Sequence, residues 1–119
     1  MRVLNSINQM QNEMKVWRQD LHSIPEIGLQ EFKTSEYIKK KLTSWNVEFK
    51  EGYSKTGIVA IIKGSEGNSE KSIGLRADFD ALPMIEKNTF DHKSKYKGMM
   101  HACGHDGHTS MLLGAVKYL

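Results

Sequence analysis

Residues 101–108, HACGHDGH, hold three of the chain's five histidines, its single cysteine and an aspartate. Cys103 and His105 stand two apart, and a thiolate and an imidazole at that spacing can grip one divalent ion or bridge two. If residues 101–105 are extended, His101, Cys103 and His105 project from one side. Gly104 lets the backbone bend between the last two. Asp106 and Thr109 suit the start of a helix, whose N-terminal dipole favours negative charge nearby. Two other readings stay open at this point. Two ligands fall short of the roughly three or four that a protein zinc site uses, so the segment can be a polar loop around an inert cysteine. Alternatively, Cys103 paired with His101 or His105 makes a thiol nucleophile.

A second cluster lies upstream, in SIGLRADFD. There Ile73, Leu75, Ala77 and Phe79 alternate with Gly74, Arg76, Asp78 and Asp80. Strand geometry puts Asp78 and Asp80 on one face. Two carboxylates held that close repel when both are ionised, so they call for a proton, a metal or Arg76 between them. A solvated face with an arginine partner is the plainer alternative. Pro83, just after the DAL triplet, favours a fixed turn and hence a shaped site.

The rest of the chain must position these groups. Val3, Ile7, Met10, Met14, Trp17 and Leu21 recur at helical spacing, which predicts an amphipathic helix over residues 3–22. Pro25, in SIPEIG, ends it. A second helix is expected over residues 31–45, burying Ile38, Leu42 and Trp45. Val47 and Phe49 alternate with charged residues as in a short edge strand. GIVAIIKG is a continuous apolar run that suits a strand covered on both faces. GSEGNSEK reads as a turn-rich, hairpin-like connection to the SIGLRADFD strand. Residues 84–100 are polar and loop-like. Residues 109–119 carry a last apolar stripe of Met111, Leu112, Ala115, Val116 and Leu119. The order of elements predicts an α/β layered domain. The last helix stops at Leu119 without a cap, and its apolar face needs a partner, a pattern expected of the front piece of a larger protein.

With 119 residues the chain has room for one domain. Its net charge is only +3, and its longest basic run, Lys39 to Lys41, falls inside an expected helix as a solvated face. Nucleic-acid binding is therefore not expected. No stretch approaches the ~18 apolar residues of a membrane span, and the N-terminus lacks a signal-peptide core. A single cysteine excludes an internal disulfide and fits a reducing compartment, so a cytoplasmic location is expected.

Four stretches then point to one family. WRQDLHSIPEIGLQEFKTSEYI, TGIVAIIKG, LRADFDALP and GMMHACGHDGHTSMLLGA occur in this order. From about residue 15 onward the chain resembles the zinc-dependent amidohydrolases and carboxypeptidases, which include hippurate hydrolases, N-acyl-amino-acid deacetylases and plant auxin-conjugate hydrolases. The resemblance implies the N-terminal part of a layered α/β/α zinc-exopeptidase-like catalytic domain with a mixed sheet. It also implies a centre of two divalent metals, zinc or manganese, with Cys103 and His105 as its first two ligands. Asp80 matches the family's catalytic aspartate, which orients a metal-bound histidine. Asp78 sits where related aminopeptidases carry a ligating histidine. Asp78, His101, Asp106 and His108 are expected to surround the ligands, hydrogen-bonding rather than ligating. His22, Pro25 and Glu26 match a recurrent motif for which packing is the expected role.

The resemblance also sets a limit. Family members run to about three times this length, and draw a glutamate base and three further ligands from beyond residue 119, besides a lid or dimerisation domain. Glu86 does not match that base. The expected function is metal-dependent hydrolysis of N-acyl amino acids or small peptides, with residues 1–119 as an incomplete catalytic domain. Metal retention by this segment alone should be weak, and its exposed apolar surface should favour self-association. The alternative is an inactive fragment kept as a fold or interaction module.

Overall fold

The computed structural model describes residues 4–64 and 70–119. Their elements are α1 (Asn5–Gln9), α2 (Gln11–Ser23), α3 (Phe32–Ser44), β1 (Glu48–Tyr53), β2 (Gly57–Ile61) and α4 (His105–Tyr118). Val3 and most of the GSEGNSEK connection lie outside the described residues.

The expected first helix is divided at Met10, whose ψ of −2° interrupts the regular α geometry between α1 and α2. Its apolar stripe still faces inward from Met14 on, ending in Trp17 and Leu21, both fully buried. Glu26 then starts α3. Its carboxylate accepts hydrogen bonds from the Thr34 N–H (2.7 Å), the Lys33 N–H (3.1 Å) and the Thr34 hydroxyl (2.7 Å), so it satisfies donors that a helix start leaves open. The helix buries Ile38 and Leu42 as expected, but Trp45 falls just past its end and is only half-buried.

β1 and β2 form a two-stranded antiparallel sheet, with Phe49 opposite Ala60 and Glu51 opposite Ile58. Gly57 is obligatory at its turn, because a Cβ there would lie 2.6 Å from the Tyr53 carbonyl oxygen. The expectation that GIVAIIKG is covered on both faces is not met. Ile58 and Ala60 pack toward the core, whereas Val59 and Ile61 are exposed. With only β1 beside it and α3 beneath, the strand has one covered face. SIGLRADFD also departs from expectation: no strand is formed there, because no described residue pairs with it in a ladder. What remains is an isolated parallel bridge between Ile27 and Ala81 and an antiparallel one between Leu82 and Met100.

The core gathers Trp17, Ile38, Leu42 and Leu113, with Phe49, Phe79 and Trp45 packed against them. Each such burial contributes on the order of 1.5–3 kcal/mol. α4 begins four residues earlier than expected, after Gly104 in a left-handed conformation (φ 102°) that glycine adopts without strain. Its buried face is also shifted, running through Asp106, Thr109, Ser110, Leu113 and Gly114. Gly114 explains the shift. A Cβ there would stand 2.7 Å from the Met14 Cε, so α2 and α4 approach closely at this glycine. Met111 and Leu119, expected to face a partner, are exposed.

Candidate metal centre

Three connections bring the two chemical clusters together. The Ala81 N–H donates to the Glu26 carbonyl (2.8 Å), holding the end of RADFDA against the α2–α3 loop. Leu82 and Met100 exchange two backbone hydrogen bonds of 3.0 Å, laying HACGHD beside DALP. The Thr109 hydroxyl, one turn into α4, donates to the Asp78 carbonyl (3.1 Å).

At their meeting point, His105 stands between the two aspartates. Its Nδ1 lies 2.8 Å from Asp80 Oδ1 and 3.0 Å from the Asp80 carbonyl oxygen, while Nε2 lies 3.5 Å from Asp78 Oδ2. Asp78 Oδ1 is also 2.8 Å from His108 Nδ1. That contact holds the Asp78 carboxyl below the usual carboxylate range, against a smaller opposing effect of burial. The two carboxylates thus share an imidazole, not Arg76, whose side chain is exposed. His105 and His108 are three apart in α4, which places them on one side of its first turn, with ring centroids 5.2 Å apart.

One ligand atom each from Asp78, His105 and His108 can lie within 4.8 Å of the others. Two imidazoles and a carboxylate form a donor set that suits a borderline divalent cation such as zinc or manganese. Cys103 is exposed and does not belong to that cluster. Residues 101–105 also fail to present one common face. His101 is buried, Cys103 is exposed, and His105 already belongs to α4. Both ring nitrogens of His101 lack a hydrogen-bond partner among the described residues, and burial lowers its basicity.

Asp106 does not face the cluster at all. It is 1 % exposed and accepts from His22 Nδ1 (2.7 Å), Arg18 Nε (2.9 Å) and the Gly107 N–H (2.9 Å). His22 reaches Glu86 Oε1 with its other nitrogen at 3.0 Å. Burial would raise the Glu86 carboxyl, but hydrogen bonds from Asn88, His22 and the Ser94 N–H outweigh it and bring it down to about 2. The sequence reading assigns packing to His22 and nothing to Arg18 or Glu86. Arg18 and His22, one helical turn apart at the end of an amphipathic helix, are the signal that could have marked this pair.

Residues 74–119 match the family model described as peptidase family M20/M25/M40. The chain is 45 % identical over 119 residues to a hippurate hydrolase of Campylobacter jejuni, covering all of this chain and 30 % of that protein. It is 40 % identical over 111 residues to an N-acyl-L-amino acid amidohydrolase of Geobacillus stearothermophilus, covering 93 % of this chain and 30 % of that protein. Among solved structures, the YXEP protein of Bacillus subtilis, titled a dinuclear metal binding peptidase from the M20 family, aligns with a TM-score of 0.85. That match is 38 % identical and covers 93 % of this chain and 31 % of the other. The chain therefore spans about a third of the length of the relatives it matches. Among the described residues, no helix is long and apolar enough to cross a membrane.

Proposed function

We propose that this chain, whose residues 74–119 match the model of peptidase family M20/M25/M40, forms the N-terminal portion of a metal-dependent hydrolase of that family that cleaves the amide bond of N-acyl amino acids or small peptides. The observation that carries this reading is the Asp80–His105 pair at 2.8 Å. A carboxylate on one imidazole nitrogen fixes the ring's tautomer and leaves the other nitrogen free to ligate. Asp80 orients, and His105 offers Nε2. Cys103 is the second ligand in this reading, one residue before the glycine that opens α4, with His101 and Asp106 as supports. Zinc or manganese ions, two per complete site, would supply Lewis-acid polarisation of the scissile carbonyl and an acidified water.

The remaining ligands, the general base and a lid belong to sequence outside residues 1–119. This is why the segment alone is proposed to bind metal weakly and to lack turnover. Its small-molecule substrates, a cytoplasmic setting and association through Ile73, Leu75 and Met111, all exposed, complete the proposal. A second ligand set has an observation of its own. The proximity of Asp78, His105 and His108 favours a site in which His108 and Asp78 ligate in place of Cys103.

The experiment is hydrolysis of N-acetyl and N-benzoyl amino acids by the natural full-length protein and by residues 1–119. The full-length protein should lose activity to a chelator and regain it with zinc or manganese. Residues 1–119 should remain far below ~1 turnover per second. Chelator-resistant activity that alkylation of Cys103 abolishes would replace this reading with a thiol hydrolase. Cys103→Ser and His108→Gln then separate the two ligand sets by metal content.

A further inference from the structure

We propose that His22 is a positioning residue for this centre: by holding Asp106 it aims His105 at Asp80. The inference rests on the metal-site reading above and extends it to a motif that reading leaves without a role.

The argument begins with helix geometry. Successive residues of an α-helix turn by about 100°, so His105 and Asp106 cannot face the same neighbour. Asp106 faces α2, where its carboxylate lies 2.7 Å from His22 Nδ1 and 2.9 Å from Arg18 Nε. With Asp106 fixed toward α2, His105 is turned away from it and toward Asp80.

His22 is the firm half of that grip. It is 2 % exposed, whereas the Arg18 side chain is 40 % exposed and can follow Asp106 if it moves. Glu86 Oε1, 3.0 Å from Nε2, holds the imidazole from its other side. Phe90 and His92 lie against its ring, at centroid distances of 5.7 and 5.8 Å. Without His22, Asp106 keeps only the Gly107 N–H beside it and the half-exposed Arg18, which can follow it outward, so the first turn of α4 is freed to rotate toward water.

The same short stretch fixes the other side of the His105–Asp80 contact. The Glu26 carbonyl accepts the Ala81 N–H at 2.8 Å, and the Glu26 carboxylate anchors α3 through Thr34. One end of residues 22–26 therefore sets the residue after His105, and the other sets the residue after Asp80. Fixing both next-door residues fixes the distance between the pair.

The test uses the natural full-length protein with His22→Asn, His22→Gln, Asp106→Asn and, as a control, Leu42→Ala. Zinc affinity is measured by competition with a chromophoric chelator, and the cobalt-substituted forms by visible absorption. An asparagine amide replaces the Nδ1 donor and a glutamine amide replaces Nε2. His22→Asn should therefore stay within about threefold of the wild type. His22→Gln and Asp106→Asn should bind zinc about 10–100-fold more weakly, with a changed cobalt spectrum and a fall in kcat at steady KM. Leu42→Ala should lower Tm and leave both metal readouts unchanged. If neither His22 variant folds, Asp106→Asn decides. Unchanged affinity in His22→Gln or Asp106→Asn overturns the proposal, as does an equal loss in His22→Asn and His22→Gln, which a purely structural role would give. A wild-type protein that binds no zinc and shows no chelator-sensitive activity overturns the metal-site reading itself.

Discussion

The face of the molecule around α2 and α4 is finished, and the segment from residue 70 to 85 is not. On the first side, Trp17, Leu21, Leu42 and Leu113 are at most 3 % exposed, and Arg18, His22 and Asp106 pair with one another between the helices. On the second, Ile73 is 90 % and Leu75 60 % exposed, and SIGLRADFD is free of any strand ladder. Yet the two halves of the candidate centre come one from each side: His105 and His108 from α4, Asp78 and Asp80 from the unfinished segment. A helix can be completed by local hydrogen bonds and one packed face. A strand needs neighbours on its edges, and these residues supply only β1 for β2 and isolated bridges for the rest. The helix that carries His105 and His108 is therefore fixed by its packing, while the carboxylates they meet depend on backbone bridges at Ala81 and Leu82.

The largest effect expected from this contrast is on the finished side. Trp17→Ala should cost about 3–5 kcal/mol, read as a shift in the urea midpoint, because the indole is 1 % exposed and sits between Leu113 and the α3 residues of the core. A cost below ~1 kcal/mol would mean that the α2–α4 pair is no firmer than the open segment. Next comes the contact that joins the sides. Asp80→Asn should weaken zinc binding about 10–100-fold, by equilibrium dialysis, because an amide is a poorer acceptor for the His105 N–H than a carboxylate.

A smaller effect is expected with pH. The Glu86 carboxyl lies below its ordinary 4.5, at about 2, so its ionised form is favoured in the folded state. The stability it contributes is complete above the unfolded value and is lost as pH falls from about 4.5 through about 2. Glu86→Gln should flatten the pH dependence of unfolding in that window alone, and a parallel curve in the variant would assign acid sensitivity elsewhere. Smallest is the change on the open side. Leu75→Ser should alter the stability of residues 1–119 by less than ~0.5 kcal/mol. The same substitution should cost more in the natural full-length protein if further strands cover this segment there, which sharpens the contrast into a measurement.

Helices were legible in advance because their signal is local. Periodicity places the end of α2 and both ends of α3 to within a residue or two but does not show the break at Met10, and the change of period at Val47 marks where the strands begin. α4 is longer than its apolar stripe suggests, since its first turn, HDGH, consists of polar residues and glycine and is held by Asp106 and the conformation of Gly104. The buried face of that helix was illegible for a similar reason. Hydrophobicity points to Met111 and Leu112, but the packing runs through Gly114, a residue chosen for close approach and carrying no apolar side chain.

The sequence by itself determined the inventory: which residues can ligate, and that His105 lies in a segment dense with metal-binding types. Spacing along the chain carries that much, because it is a property of covalent neighbours. Only the tertiary structure decided who meets whom. It put Asp80 on His105 across 25 residues and Asp78 on His108 across 30. It also drew Asp106 away from the cluster to His22, 84 residues distant. Such pairings depend on the crossing of α2 and α4 and on a few backbone bridges, and no local pattern encodes the direction in which a side chain leaves a helix once that helix has chosen its buried face.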